Sequence, residues 1–291
     1  MLAVKPRVRE ILDSDLPGIA DLLTRGFVHR SRDYWMRGLQ RQSARSLPAG
    51  AVRYGYLLES EGKPVGCLLL IYSSKIIDGE AAIFCNLSSW YVDPAFRNYA
   101  ALFASMAQKR KDVTYFNVTP AIPTWPILEA QGFVPYCRGL YFSVPAFARS
   151  GRGIKVEAIG PDAPDIAGLP GADLGMLRRH AEYGGLSLVC HTAEDPLPFI
   201  FLPLRKRRGI IPLPGMQLGY CRSMEDYFRC AGAIGRYLVR RGKPVIIIDA
   251  NGPVAGLPGV YTEARGRKYF KGPHRPRLGD LSDTELAIYG M

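Results

Sequence analysis

Apolar positions along the first 145 residues alternate between a period of two and a period near 3.6. Val8–Ile11 reads as a short strand. Leu16, Ile19, Leu22 and Leu23 then follow at helical spacing behind Asp15, a residue suited to capping, as far as about Gly26. A polar, arginine-rich helical stretch covers Ser31 to about Arg45. Tyr54–Glu59 and Pro64–Tyr72 are β-rich runs on either side of Ser60-Glu-Gly-Lys63, a hairpin signal. Ala82–Val92 predicts a long strand with a helix after it from Arg97 to Arg110, and Val113–Val118 a short buried strand. Thr124–Gln131 predicts a helix stopped by Gly132, and Phe133–Val144 closes the unit.

Ser150-Gly-Arg-Gly153 has linker composition, which divides the chain into 1–148 and 149–291. The second part repeats some of the same order. Leu186–His191 and Leu197–Leu204 form a hairpin around Ala193-Glu-Asp-Pro196. Gln217–Cys221 is a strand, Ser223–Arg241 a long helix and Val245–Asp249 a β-branched strand. The turn from Cys221 to Asp226 is a capping box without glycine, which places carboxylates where a phosphate would sit. The second part is therefore expected to be structural or acceptor-binding.

A length of 291 residues suits one large domain or two ordinary ones, and 47% apolar with 22% charged residues is a globular composition. No apolar run reaches 18 residues, so no membrane span is expected, and the N-terminus lacks a secretory pattern. The six cysteines lie in apolar runs without C-x-x-C spacing, and the four histidines form no ligand pattern. The expectation is reduced core thiols, a cytoplasmic protein and no metal. The net charge of +12 is shared, with 17 basic against 12 acidic residues up to 148 and 21 against 14 after it. Such an excess favours anionic partners without choosing among them.

The stretch from Asn86 to Leu102 carries the chemistry. A strand ends at Val92, Asp93-Pro94 turns the chain, and a helix begins near Arg97. Unpaired amides at a helix start attract anions. Glu129-Ala-Gln-Gly-Phe-Val134 then takes a second helix through glycine into a strand. This order resembles the GNAT superfamily of acyl-CoA-dependent acyltransferases, over about residues 6–145. The resemblance implies an α/β (α+β) fold: a mixed, largely antiparallel sheet flanked by helices, with a second, divergent half of the same type.

It further implies that acetyl-CoA or another acyl-CoA is the co-substrate. The family turn, Arg/Gln-x-x-Gly-x-Gly/Ala, becomes Arg97-Asn98-Tyr99-Ala100-Ala101-Leu102, in which Leu102 replaces a small residue. Arg97 to Leu102 would hold the diphosphate, and Tyr91 and Val92 the pantetheine arm. The alternative is a plain helix cap by Asp93. Asn86, Ser88, Asn117 and Thr119 would line the acceptor side, with Asn86, Ser88, Trp90 and Val92 on one face by alternation. The acceptor is expected to be a small or saccharide-like amine or alcohol, anionic groups included.

Positions 84–92 hold no His, Asp or Glu base, and Leu128 stands where the family has a tyrosine acid. His29, Ser88 and Tyr136 are the replacement catalytic candidates, with Asp33 and Tyr34 beside His29. Arg205-Lys-Arg-Arg208 reads as a solvated loop or an anion contact. Arg265–Arg277, basic with two aromatics, reads as a loop crossing the active-site side or as a nucleic-acid contact. Two other classes stay open: a non-catalytic acyl-CoA or protein binder, and a basic protein linked to nucleic acid or tRNA.

Overall fold

A computed structural model describes residues 6–204 and 214–290; the Arg205–Arg208 run lies outside them. In chain order, β1 is Arg7–Glu10, α1 Leu16–Gly26, α2 Arg32–Ser43, β2 Gly55–Ser60, β3 Lys63–Ile77 and β4 Glu80–Val92. After these come α3 Ala100–Ala107, β5 Val113–Asn117, α4 Trp125–Ala130, β6 Val134–Cys137 and β7 Gly139–Ser143. The remainder comprises β8 Lys155–Ile159, α5 Gly171–Glu182, β9 Leu186–His191, β10 Pro196–Pro203 and β11 Gly215–Cys221. It ends with α6 Met224–Val239, β12 Val245–Ala250, β13 Gly259–Thr262, β14 Lys268–Lys271 and α7 Glu285–Ile288.

The strands form two seven-stranded sheets ordered β1-β2-β3-β4-β5-β14-β6 and β8-β9-β10-β11-β12-β7-β13, written in parallel sense. These are the same plan twice. In each, the fourth and fifth strands run parallel across a helical crossover, α3 in one and α6 in the other. The sixth place in each sheet is filled from across the 148/149 division expected from the sequence. β7 pairs with β12 and β13 in the second sheet, and β14 lies between β5 and β6 in the first. Residues 268–271, expected to be loop, are thus an interior strand. Their charge hides a run in which Tyr269 is fully buried and Lys268 nearly so.

Both faces of the first sheet are covered. On one, α1 buries Ile19, Leu22 and Leu23 against Leu57, Leu69 and Ile71; α2 adds Trp35 and Leu39, and the C-terminal Ile288 and Tyr289 join the same cluster. Gly38 of α2 is where Tyr289 enters: an added Cβ would stand 1.9 Å from a ring atom of that tyrosine. On the opposite face Phe103 of α3 and Leu128 of α4 pack on Leu68, Leu70, Cys85 and Leu87. The second sheet packs Phe199, Phe201, Ile246 and Ile248 against Tyr227 and Ile234 of α6. Ser223 caps α6, its Oγ accepting from the Asp226 amide at 3.0 Å, as the capping box requires. All six cysteines are buried and unpaired.

Lys268 and Asp249 join the two sheets. Their Nζ and Oδ1 are 2.8 Å apart with both side chains 2% exposed. Burial alone would lower the lysine, but the aspartate beside it overrides that and holds it above its ordinary value.

Candidate active site

β4 is the strand on which the candidate site is built. It pairs with β5 from Ile83–Val113 to Asn86–Phe116 and no further. Beyond Asn86 it keeps only β3 as a strand partner among the described residues, so a wedge opens between the two parallel strands. A bulge sits at the mouth. Leu68 faces Trp90 and Leu70 faces Leu87, so β4 carries one extra residue over the Ser88–Ser89 step. That extra residue reverses the side-chain phase. Trp90 and Val92 join Cys85 and Leu87 on the α3 face, while Tyr91 turns to Phe27, with ring centroids 6.3 Å apart. The alternation expected for Asn86, Ser88, Trp90 and Val92 therefore holds only as far as Ser88. Gly26 gives Tyr91 its room, since a Cβ there would lie 2.4 Å from the ring.

Asn86 closes the apex of the wedge. Its Nδ2 donates to the Phe116 carbonyl of β5 at 3.3 Å, and its Oδ1 accepts the amide of Glu285 at 3.0 Å. Asn117 Oδ1 accepts the Thr119 amide at 3.1 Å, turning the chain past β5. Thr119 in turn donates its hydroxyl to Glu285 Oε1 at 2.6 Å. The other oxygen, Oε2, is shut off from solvent without a hydrogen-bond partner, as are Ser88 Oγ and Trp90 Nε1. Buried polar atoms without partners are uncommon enough to need an explanation. Burial lifts the Glu285 carboxyl to about 7, against the opposing pull of Thr119, Asn86 and, more distantly, Lys268. Chain position gave no sign of this residue, because it reaches Asn86 across 199 positions from a four-residue helix.

The other expected residues divide by location. The stretch after Val92 winds as a 3₁₀ turn, Pro94–Tyr99, before α3 begins. The Asp93 side chain does not cap it and instead meets Arg25 at 3.3 Å. Arg97 and Asn98 are exposed, Tyr99 and Ala100 half-buried, and the Ala100 amide bonds back to the Arg97 carbonyl. Ala101 and Leu102 continue the α3 backbone; their side chains lie outside the described ones. Tyr136 is 2% exposed among Phe84, Phe116 and Leu281, and burial pushes its phenol well above the usual range. His29 and Asp33 are exposed at the α1–α2 connection, and the Tyr34 hydroxyl donates to the Gly290 carbonyl at 3.0 Å. The wedge thus gathers Asn86, Ser88, Tyr91, Val92, Asn117 and Thr119. His29 stands in the α1–α2 connection.

The second sheet has a similar divergence, since β11 meets β12 only over Gly215–Gln217. There the gap is stitched shut by chain. The Cys221 amide donates to Gly279 at 2.9 Å and the Leu281 amide to Gly219 at 2.7 Å. Among the described residues only the first wedge is left open. A cavity of about 440 Å³ lies on the same face of β3 and β4, between α2 and α5, lined by Arg45, Ser73, Arg179, Tyr183 and Asp283. Among the described residues no group of three or more His, Cys, Asp or Glu could hold a metal, and no helix is long and apolar enough to cross a membrane. In the basic 265–277 stretch Tyr269 is buried, Arg267 lies over Trp125 at 4.5 Å and Arg277 pairs with Asp280 at 3.3 Å, while Arg265, Lys271 and Arg275 are exposed.

These features define a fold. Two copies of one plan, each with parallel fourth and fifth strands, are the architecture of GCN5-related N-acetyltransferases in tandem, and the chain has that fold. One such N-acetyltransferase, from Kribbella flavida, superposes with a TM-score of 0.58 at 14% identity, over 92% of this chain and 71% of its own. A protein of Enterococcus faecalis described as a probable N-acyltransferase gives 0.59 at 10% identity, over 95% and 73%. The glucosamine N-acetyltransferase region of a fungal multi-domain β-N-acetylglucosaminidase gives 0.55 at 12%, over 93% of this chain and 38% of that one. No family model matches the sequence, and no curated protein matches it.

Proposed function

We propose that the protein transfers an acyl group, most simply acetyl, from CoA to an amine or hydroxyl of a small acceptor. The observation that carries this reading is the open β4–β5 wedge. Its free β4 edge beyond Asn86 offers backbone groups to an amide-bearing arm such as pantetheine, while the matching gap in the second sheet is closed. The exposed Arg97, at the turn into α3, is the diphosphate contact. Acetyl-CoA is a natural first choice because the proteins of like fold include N-acetyltransferases.

The acceptor would approach on the α1–α2 face. The neighbouring cavity, with Arg179 beside the Arg45–Asp283 ion pair in its wall, supports a polar acceptor. Glucosamine, the acceptor that one protein of like fold is named for, is a reasonable first compound. Six buried, unpaired thiols fit a reducing compartment such as the cytoplasm.

Calorimetric titration with acetyl-CoA tests the reading. The wild type is expected to bind in the micromolar range, and Arg97→Glu to bind about tenfold or more weakly, the loss of a charge-assisted contact plus repulsion. Failure of both acetyl-CoA and longer acyl-CoAs to bind at high micromolar concentration would sink the reading.

A further inference from the structure

We propose that Glu285 is the proton acceptor of the transfer, carried into the β4–β5 wedge by the last helix of the second half; this rests on the acyl-CoA reading above. Two contacts fix where the residue stands, and one oxygen is left over. Its amide is held by Asn86 at the apex of the wedge, its Oε1 by the Thr119 hydroxyl beyond the end of β5, and its Oε2 is left without a partner. A carboxylate oxygen withdrawn from water and unmatched within the protein raises the free energy of the empty site. An amine or hydroxyl hydrogen from an acceptor would satisfy it. Two residues along β4 from Asn86, the Ser88 hydroxyl is also unpartnered, giving a donor for the thioester oxygen on the same strand.

The surroundings suit a base that works near neutrality. Burial is what raises the carboxyl to about 7. The ionisable groups around it are Lys268 of β14, Tyr136 of β6, Arg41 of α2 and Arg45 just past that helix, His180 of α5 and Tyr289 just past α7. Asp280 and Asp283 precede it in the same segment. Asp283 is engaged by Arg45 and Asp280 by Lys75, so neither competes for the acceptor's proton. The bond changes balance without a further reactant. The neutral amine nitrogen attacks the thioester carbonyl carbon, the C–N bond forms, and the C–S bond breaks with its electron pair going to sulfur. The proton shed by nitrogen passes to Glu285 and from there to the departing thiolate, so that amide and CoA thiol leave and the carboxylate is restored.

Thiol release from acetyl-CoA, with glucosamine as acceptor and with water alone, measured from pH 5.5 to 9 on the full chain, tests this. The wild type is expected to gain kcat/KM as pH rises through an apparent pKa near 7. Glu285→Gln should lose a factor of roughly 10² to 10⁴ in kcat and the acidic limb with it, while binding acetyl-CoA by calorimetry as tightly as the wild type. Thr119→Val, which removes a bond favouring the charged carboxylate, should move the limb upward by roughly half a unit to one unit and guards against a misfolded Gln variant. Equal thiol release and the same pH profile in wild type and Glu285→Gln, with acetyl-CoA bound by both, would overturn the assignment of Glu285 alone. Absence of acetyl-CoA binding by the wild type would overturn the acyl-CoA reading and this inference together.

Discussion

Glu285 costs the fold stability wherever it is charged. Desolvation moves its carboxyl from 4.5 up to about 7, so the folded chain holds a proton that the unfolded chain has already released. Stability contributed by such a group is complete below about pH 4.5 and falls as pH rises to about 7, by at most about 3 kcal/mol. Glu285→Gln is expected to flatten that slope. The variant should melt higher than the wild type at pH 8, and the two should converge below pH 5 in thermal unfolding followed by circular dichroism. A side chain retained against stability is a common mark of function. Nothing in its sequence context marks it, because it becomes informative only once Asn86 and Thr119 are beside it. The places of Asn86 and Ser88 on β4 and of Asn117 and Thr119 at the end of β5 were legible, since strand ends next to a strand–turn–helix passage are local facts. Tyr136 looked equally eligible in sequence, yet the packing of Phe84 and Phe116 encloses it.

Among the elements, those with long, clean periodicity could be read directly: α1, α6, the β9–β10 hairpin and β12 lie close to their expected spans. β4 was legible as a strand but its phase was not. A bulge adds one residue without a compositional signature, and everything after Ser88 turns to the other face. β14 was misread because charge and glycine around 265–277 imitate a loop, whereas its Lys268 has a buried partner supplied by a distant strand. The seating of α7 depends on Gly38. Gly38→Ala is expected to push Tyr289 aside and destabilise the chain by about 1–3 kcal/mol in urea unfolding. It should also slow thiol release while acetyl-CoA affinity, read by calorimetry, stays unchanged. Loss of affinity in proportion to rate would show that α7 serves the cofactor side instead.

Over the whole molecule, the two halves are joined by exchange as well as by surface contact. Each sheet takes its sixth strand from the other half, and the Lys268–Asp249 pair lies across the join with both side chains 2% exposed. Lys268→Met strands a buried carboxylate and is expected to destabilise the chain by about 3–5 kcal/mol. Adding Asp249→Leu should recover most of that loss, both read as denaturation midpoints. Unfolding is expected as one transition, because neither sheet keeps its order when the other comes apart. The repeated plan was partly visible in the spacing of strands and helices. The exchange was not, since a strand carries no label for the sheet that will accept it.

A ribosome making this chain meets an ordering problem. The outer edge of β5 and the inner edge of β6 are finished early, but the strand that satisfies both is Lys268–Lys271. Until residue 268 is made, the nascent first sheet therefore carries bare backbone of the kind that recruits other chains. A product halted before residue 268 should be found with chaperones or in aggregates. The same late segment that quenches those edges delivers Glu285 a few residues afterwards. A molecule in which Glu285 has reached Asn86 is thus one whose manufacture has already passed the step at which it would otherwise stick.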